Sequence, residues 1–540
     1  MATRILQVAR IMFQPFIAIS LFLVLFTTGC GTASSPGGGG AGPVPEKVVV
    51  GLGDDVTYFS SVRARGGSNT YLTTNVYEGL TTADTDGKVH PGLAASWKVS
   101  PDGKSYEFKL RKGVTYVNGD PMVVEDAAFV FANSKVPGNA QDLSAQAHWK
   151  SAEILDAETV RYTLEFPDAD FLKSIGSSFQ HLLIPKKYYD SVGGEEGFEK
   201  APVGTGAYKV VDRKIKEGWT LERYEGYWGE KPQIKTAEFR VIPEPSTRAA
   251  AMKVGEIDFA ANFPPSFMED MEKTGGFKLM KNPAGNTISI RINKLRQTDP
   301  TTGKPNPFLD KRVRQAMSYS IDRDAIIDKV LNGVGDRMAV LFPGDIGYDP
   351  ELKPYPYDPN KAKQLLAQAG YPNGFDATFY GLLGERIPLS KEVGEAVGNY
   401  MTAVGIRTKV NNEEYAAWLA RTTRGTSDGK PNELYPIGYG MTFVAGQGTP
   451  YNKWKILACD SLAQHWNCDP EFDKQINQLK TEGDAKKTEE LVKAMARKQH
   501  EEQWTVVLYR NVVIYAMKDR VEFTPTVLSQ YVELRNMRWK

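Results

Sequence analysis

Strand and helix patterns alternate along most of this chain, and this alternation constrains the fold more than any other feature. Apolar runs of strand length predict strands, and apolar residues at helical spacing predict helices. The predicted strands cover residues 47–52, 105–110, 160–166, 207–211, 237–242, 505–509 and 512–517. The predicted helices cover residues 68–79, 125–132, 310–319, 325–331, 361–369, 391–404 and 484–503. Interleaved strands and helices favour mixed sheets covered by helices, which is the α/β class.

Length and charge exclude some classes of protein. A chain of 540 residues exceeds what one small core can hold, so we expect two or three lobes. Lys plus Arg number 66 and Asp plus Glu number 65, and no block of basic residues stands out. A protein that tracks the phosphates of nucleic acid usually carries such a block, so we expect no nucleic-acid partner.

The first thirty residues differ from the rest of the chain. Arg4 and Arg10 are the only charged residues before Cys30, and residues 11–26 are almost wholly apolar. A positive, then apolar, then small-residue order predicts a secretory signal peptide over residues 1–29. An uncleaved signal anchor is the alternative, but the apolar stretch is shorter than the roughly 20 residues that span a membrane.

The residues around Cys30 sharpen this prediction. Thr27-Thr28-Gly29-Cys30 resembles the signal of bacterial lipoproteins, although Leu is more usual where Thr27 stands. The resemblance implies that the thiol of Cys30 is acylated and that the chain is cut just before it. Residues 30–45 then have the uncharged Gly, Ala, Ser and Pro composition of a linker. We therefore expect an exported protein that is lipid-anchored at the periplasmic or cell-surface face of a bacterial membrane.

The three cysteines fit an exported protein. If Cys30 carries lipid, Cys459 and Cys468 form an even pair, and an oxidising compartment favours a disulfide between them. The alternative is a pair of free or metal-binding thiols. No second Cys or His pair has the spacing of a zinc site, so we expect no metal.

Catalytic motifs are missing from the sequence. The five histidines are scattered, and none belongs to an HExxH pair. The chain has no Walker phosphate loop, no GxGxxG after its first strand and no GxSxG elbow. Residues 427–430 match SxxK and residues 273–275 match KTG, but their order is the reverse of that in the penicillin-interacting serine enzymes. We therefore expect neither enzymatic activity nor a cofactor, with an extracellular serine hydrolase as the alternative.

From Asn75 onward, a series of motifs appears in a fixed order. It resembles the large bacterial extracellular solute-binding proteins, whose members include oligopeptide, dipeptide and nickel binders of ABC importers. The matching elements are Asn75–Leu80, His90–Trp97, Ser100–Val114, Asn118–Pro121, Pro202–Tyr208, Lys253–Asp258, Arg312–Ala316, Ile321–Arg323, Tyr357–Pro359 and Ala369–Tyr371. Most of these elements have scaffold explanations: a turn at Asp102-Gly103, close backbone approach at Gly204 and Gly206, and ion pairs at Arg312 and Arg314.

The resemblance implies a periplasmic-binding-protein-like α/β fold of the large three-domain type. Two lobes would close about a hinge over a small ligand, and an extra domain would extend the first lobe. The expected boundaries are residues 46–76, 201–285 and 504–540 for lobe I, 77–200 for the extra domain II, and 286–503 for lobe III. A permease could read the closed form, so capture for ABC import is the expected function, with a monomer as the expected state.

The resemblance also indicates candidate ligand-binding residues. Relatives offer backbone groups from the segment after the first strand, which here contains Tyr58 and Phe59. Peptide-binding relatives use an aromatic residue, a second aromatic residue and then an Asp that pairs with the peptide's α-ammonium. Here Thr442 stands where that Asp is expected, which favours a neutral solute such as a sugar or a modified peptide over an ordinary peptide. The predicted ligand-binding residues are Tyr58, Phe59, Tyr415, Tyr435, Tyr439, Gly440, Met441, Thr442 and Phe443.

Two alternatives remain open at this stage. The aromatic residues of this set could belong to the core, as most aromatic residues do. A lipid-anchored receptor that senses its ligand without transport would carry the same features, because ligand capture is common to both functions.

Overall fold

The computed structural model describes residues 45–540 with the exception of residues 57, 62–66, 84–87, 134–148, 169–170, 178–180, 299–302, 343–346, 384–386, 415–416, 418–438, 446–449, 460, 462–466, 483 and 526–530. Residues 45–540 form one compact unit. The strands are, in chain order, β1 (Lys47–Leu52), β2 (Thr81–Ala83), β3 (Val89–Pro91), β4 (Ala94–Val99), β5 (Ser105–Leu110), β6 (Trp149–Ile154), β7 (Thr159–Leu164), β8 (Tyr208–Lys214), β9 (Gly218–Arg223), β10 (Thr236–Val241), β11 (Phe259–Ala260), β12 (Phe277–Ile292), β13 (Phe375–Leu382), β14 (Ile406–Glu413), β15 (Tyr439–Ala445), β16 (Thr505–Lys518), β17 (Val521–Phe523) and β18 (Met537–Trp539).

Helices cover the sheets. They are α1 (Thr70–Val76), α2 (Val124–Asn133), α3 (Phe171–Ser177), α4 (Lys186–Ser191), α5 (Glu195–Lys200), α6 (Pro245–Lys253), α7 (Met268–Thr274), α8 (Lys311–Ser320), α9 (Arg323–Ala325), α10 (Pro359–Gln368), α11 (Ser390–Ala403), α12 (Pro450–Trp454), α13 (Pro470–Leu479) and α14 (Ala485–Glu502). The predicted helix at residues 325–331 is instead a π-helix, Ile326–Val330, that continues α9.

One mixed sheet of ten strands organises the described part of the chain, in the order β14-β13-β15-β12-β16-β11-β1-β10-β9-β8. Its two longest strands, β12 and β16, pair antiparallel in the middle. At one end of this pair, β16 continues the sheet through β11 and β1. At the other end, β12 continues it through β15 and β13. We call this central pair the ribbon, and it joins the two halves of the sheet.

Separate cores form on the two halves. Val48, Val50 and Phe239 belong to a core on the β1 half. Ile288, Ile290 and Ile292 belong to a core on the β15 half, and helices α12–α14 enclose another. A second sheet of four strands, in the order β4-β5-β7-β6, has its own aromatic core. These separate cores fit a chain of several lobes, whereas the domain boundaries given above stay a prediction.

The scaffold explanations of the motifs are correct in the structure. Gly103 adopts a φ of +68° in its turn. A Cβ on Gly204 would lie only 2.0 Å from the carbonyl oxygen of Val76. The guanidinium of Arg312 lies 2.6 Å from the carboxylate of Asp310. Arg314 pairs in the same way with Glu502 at 2.9 Å.

Candidate functional site

The segment after β1 lies where three strands end together. β10 and β11 both run parallel to β1, so the carboxyl ends of the three strands share one edge of the sheet. Ligands of open α/β sheets bind outside the carboxyl ends of strands. Residues 53–56 and 58–61 follow β1 directly at this edge, and they include both candidates from the first part of the chain.

Tyr58 and Phe59 have different surroundings. Tyr58 is half-buried, and its backbone N–H donates to Asn69 Oδ1 at 3.1 Å. Phe59 is only 1% exposed, and its ring packs edge-on against Trp219 with the centroids 6.1 Å apart. The guanidinium of Arg213 covers the same ring at 3.9 Å. Phe59 therefore anchors the segment in the core, and contact of either residue with a ligand stays a prediction.

A cluster of tyrosines at this edge was not found from the sequence. Tyr71 accepts a hydrogen bond from Asn262 Nδ2 at 3.1 Å, and its ring packs edge-on against Tyr531 at 6.2 Å. Burial raises the pKa of Tyr71 well above its ordinary value, and Tyr515, Tyr531 and Asp54 raise it further. The hydroxyl of Tyr71 therefore stays protonated and can donate as well as accept. Because these residues come from distant segments, only the topology reveals the cluster.

The other candidates lie on β15, in the second half of the sheet. In the antiparallel register with β12, positions 439, 441 and 443 pair with Ile292, Ile290 and Ile288. Positions 440 and 442 pair with Arg291 and Ser289. Directly paired positions of antiparallel strands share a face of the sheet. The register therefore divides the candidates of β15 between two faces, which the sequence analysis did not foresee.

The face that includes positions 440 and 442 carries buried polar groups. Ser289 is 0% exposed and Arg291 is 1% exposed. Thr505, which pairs with Arg291 from the other side of β12, is also 0% exposed. Among the residues that the structure describes, neither Ser289 Oγ nor Thr505 Oγ1 has a hydrogen-bond partner. Buried hydroxyls usually bind a protein group or an ordered water, so this face can accept a further polar group.

The ribbon connects the two groups of candidates. The register of β12 against β16 shifts between Pro283 and Thr287. This shift separates the part of β12 beside the β1 half from the part of β12 beside the β15 half. Asn282, beside this shift, forms a hydrogen bond with the side chain of Tyr515. Burial raises the pKa of the Tyr515 hydroxyl, and the hydrogen bond with Asn282 offsets part of that rise. A bulge of this kind bends a strand and increases its twist locally. The two halves of the site thus meet across an irregular point in two continuous strands.

Some predicted residues lie outside the described part of the chain. These are Cys30, Tyr415 and Tyr435. The predicted disulfide is present, because the sulfurs of Cys459 and Cys468 are bonded at 2.09 Å.

The described residues contain no group of three or more His, Cys, Asp or Glu side chains arranged to hold a metal ion. None of the helices described between residues 45 and 540 is long and apolar enough to cross a membrane.

Comparison with known proteins gives the family. The sequence model of "Bacterial extracellular solute-binding proteins, family 5 Middle" matches residues 88–429. The dipeptide-binding protein of Escherichia coli K12 is 28% identical over 430 residues, which cover 73% of this chain and 78% of the relative. Heme-binding protein A of Haemophilus influenzae is 30% identical over 361 residues, which cover 62% of this chain and 64% of the relative.

The fold is also similar to solved structures. The periplasmic binding protein DppA of Helicobacter pylori, in complex with the peptide STSA, superposes with a TM-score of 0.78 at 25% identity. The match covers 91% of this chain and 98% of the Helicobacter pylori chain. The periplasmic-binding-protein-like α/β fold expected from the motifs is therefore confirmed.

Proposed function

We propose that this chain, which belongs to the bacterial extracellular solute-binding proteins of family 5, captures a peptide or another small polar solute and delivers it to the permease of an ABC importer. Members of this family are binding proteins for transport, so the chain is a binding protein rather than an enzyme. The family also makes it an exported protein that works outside the cytoplasmic membrane.

One observation carries the proposal. Two groups of candidate residues, one after β1 and one on β15, belong to opposite halves of a sheet that only β12 and β16 join among its described strands. Rotation of the halves about the ribbon would bring the groups together around a ligand, as hinge closure does in binding proteins. We propose the irregular region Pro283–Thr287 as part of this hinge.

The class of ligand follows from relatives and from one substitution. The relatives named above bind a dipeptide, heme and the peptide STSA, so the family accepts different solutes. In this chain Thr442 replaces the Asp that pairs with a peptide's α-ammonium in peptide-binding relatives. A buried ammonium needs a negative partner. We therefore propose that the ligand group at position 442 is uncharged, as in a modified peptide or a sugar.

The proposal includes the attachment of the protein to a membrane. Acylated Cys30 would hold the protein at the outer face of a bacterial membrane, and residues 30–45 would serve as the tether. About 15 flexible residues span roughly 20 Å on average. Such a tether would let the globule, which we propose is a monomer, move near the bilayer and reach its permease.

Ligand binding tests the proposed function. Native mass spectrometry of the full-length protein should show a co-purified small molecule, and calorimetry should detect tighter binding of N-acetylated STSA than of STSA, whose α-ammonium is charged. Tyr439→Ala should then weaken binding by more than about 1 kcal/mol, as loss of an aromatic hot spot does. Tyr357→Ala, at a tyrosine that is 47% exposed, is the matched control and should leave the affinity unchanged.

Two results would contradict the proposal. One is a purified protein that carries no small molecule and binds none of a broad panel of peptides and sugars. The other is a solute that is recovered in a cleaved form, because a transport protein releases its ligand intact.

A further inference from the structure

The segment after β1 is held almost entirely by residues that are distant in sequence. The carbonyl oxygen of Phe59 accepts a hydrogen bond from the hydroxyl of Tyr77 at 2.7 Å. The backbone N–H of Lys216 donates to Asp55 Oδ2, also at 2.7 Å. The local contact of the Val56 N–H with Asp55 Oδ1, at 2.7 Å, is thus supplemented by contacts with other elements. The shape of the segment depends on the elements packed around it, and one side chain contributes more contacts than the others.

That side chain is Glu199. Its carboxylate accepts the backbone N–H of Phe59 with both oxygens, at 2.9 and 3.0 Å. The oxygen Oε2 also accepts the N–H of Ser60 at 2.8 Å. One carboxylate thus binds two consecutive backbone amides. Hydrogen bonds to a charged acceptor are roughly twice as strong as neutral ones, so this contact is stronger than the neutral hydrogen bond from Tyr77 to the segment.

The charge of Glu199 is balanced at the same place. Arg213 Nη1 lies 2.9 Å from Glu199 Oε1, and the two side chains are only 27% and 19% exposed. The same guanidinium lies over the ring of Phe59. Arg213 therefore neutralises the carboxylate and covers the residue whose amide the carboxylate binds. The result is a closed arrangement of one acid, one base and one backbone turn, which we call the carboxylate clamp.

The helix that carries Glu199 is itself fixed. Phe198, its neighbour on α5, is 0% exposed and stacks on Tyr77 with the centroids 6.4 Å apart. Tyr188 and Tyr189 pack on the other sides of the same ring. α5 falls within residues 77–200, the predicted extra domain. Phe198 belongs to the same core as Val48 and Val50 of β1, so α5 holds the segment from a fixed position in that core.

We propose that Glu199 is a positioning residue of the ligand site, which binds the amides of Phe59 and Ser60 and so holds Tyr58 in place for the ligand. This inference rests on the proposed function only in that Tyr58 is taken to meet the ligand. The clamp gives α5 a role in affinity, because a segment that is already ordered loses less entropy when a ligand binds.

Hydrogen exchange tests the clamp in the ligand-free protein. In Glu199→Gln the side-chain amide keeps one acceptor oxygen. Its NH2 group is a donor and would face backbone N–H groups that also donate, so it cannot bind them. Exchange in peptides that cover residues 53–61 should become at least about tenfold faster, because the lost contacts involve a charged acceptor. Exchange in the ribbon should not change. Glu225→Gln is the matched control, since Glu225 pairs with Arg223 and Lys231 and is 63% exposed.

The same variants are then compared for affinity toward the peptide or sugar that the wild-type protein binds in calorimetry. Glu199→Gln should weaken binding several-fold, whereas Glu225→Gln should not. If Glu199→Gln does not fold, Glu199→Asp withdraws the carboxylate by one methylene and gives the same comparison.

Unchanged exchange at residues 53–61 would overturn the inference, and so would faster exchange with unchanged affinity. A wild-type protein that binds no probe would instead count against the proposed function, because the exchange experiment needs no ligand.

Discussion

The effect of an arginine on stability depends on how deeply its side chain is buried. Arg312 and Arg314 are two residues apart and were both expected to form ion pairs. Both do, but the side chain of Arg312 is 47% exposed and that of Arg314 is 2% exposed. Arg314 also donates to the carbonyl oxygens of Phe308, Leu309 and Glu502 at 2.8–3.0 Å. It therefore joins α8 to the end of α14, whereas Arg312 pairs with its near neighbour Asp310 and donates to the carbonyl oxygen of Gln368 from an exposed position.

This difference predicts unequal costs of substitution. Arg314→Leu should lower the free energy of unfolding by roughly 3–5 kcal/mol, because it leaves several carbonyl oxygens without their donor and leaves the carboxylate of Glu502 paired with Lys311 alone among the residues that the structure describes. Arg312→Leu should cost roughly 1 kcal/mol or less, as expected for an exposed pair. Urea unfolding of the two variants measures both values. Equal losses would show that the burial of Arg314 has no energetic consequence.

Lys294 predicts a dependence on pH. Its ammonium donates to Asn467 Oδ1 at 2.9 Å and lies 5.1 Å from the ring of Trp504. Burial, followed by the charge of Arg314, lowers the pKa of Lys294 to about 8, against opposing effects of Glu502 and other groups. Between that value and the ordinary 10.5, the unfolded chain binds more protons than the folded one. Stability therefore rises with pH across this interval.

Lys294→Met removes this dependence. The free energy of unfolding of the wild type, relative to that of the variant, should rise between about pH 8 and pH 10. The rise should reach roughly 3 kcal/mol, because a shift of one pKa unit corresponds to about 1.4 kcal/mol. Denaturant unfolding at the two pH values measures the change. Lys363→Met, at an exposed lysine of α10, serves as the control. If the free energies of unfolding of the wild type and Lys294→Met differ by the same amount at both pH values, the expected titration of Lys294 is contradicted.

At the level of elements, local pattern predicts only some of the strands, and it misses regular ones such as β13 and β14 as well as an irregular one. β5 was predicted with its observed bounds, because its burial alternates as its sequence does. β12 was missed, because Pro283 and Gly285 interrupt any strand pattern. The register shift after Pro283 accommodates both residues. β16 was predicted as two strands, since Arg510 and Asn511 interrupt its apolar run, yet pairing with β12 keeps it continuous.

Packing between elements makes another prediction. Gly204 precedes β8 at the point where the chain passes α1, and an added Cβ would lie 2.0 Å from the backbone oxygen of Val76. Gly204→Ala should cost about 3 kcal/mol, the upper end of overpacking costs, because a backbone atom cannot move aside as a side chain can. Gly113 has a φ of +74° and no atom within 4 Å of its added Cβ.

Gly113→Ala therefore separates backbone strain from steric overlap. It should cost only about 1 kcal/mol, the low end for a left-handed conformation. Thermal or urea unfolding of the two alanine variants gives the comparison. A Gly204→Ala protein as stable as Gly113→Ala would show that α1 can move away at little cost.

At the level of the whole molecule, family and fold class could be predicted from ordered motifs, but the geometry of the site could not. Position 442 was identified by its place in a motif. Its face of the sheet follows only from pairing with Ser289, in a strand that the sequence did not reveal. In the same way, Tyr71 and Asn262 meet through the parallel pairing of β1 and β11. Such long-range pairings are set by tertiary packing, which local patterns do not encode.

The ribbon predicts a change of shape on binding. X-ray scattering of the full-length protein should show a smaller radius of gyration when a solute that binds in calorimetry is added, because the two halves close around it. Tyr439→Ala at the same solute concentration should change less, in proportion to its lower occupancy. Identical scattering of the free and saturated wild-type protein would exclude closure about β12 and β16.

The position of β16 in the chain has a consequence for biogenesis. β1, which is made early, pairs with β10, which begins 189 residues later, and the strand that connects both halves spans Thr505–Lys518. Until that strand arrives, β11 and β12 have no neighbour between them. Closing such long loops is slow, so the native sheet forms late. A polypeptide with this order of strands cannot complete its main sheet until almost all of it has crossed a secretion channel.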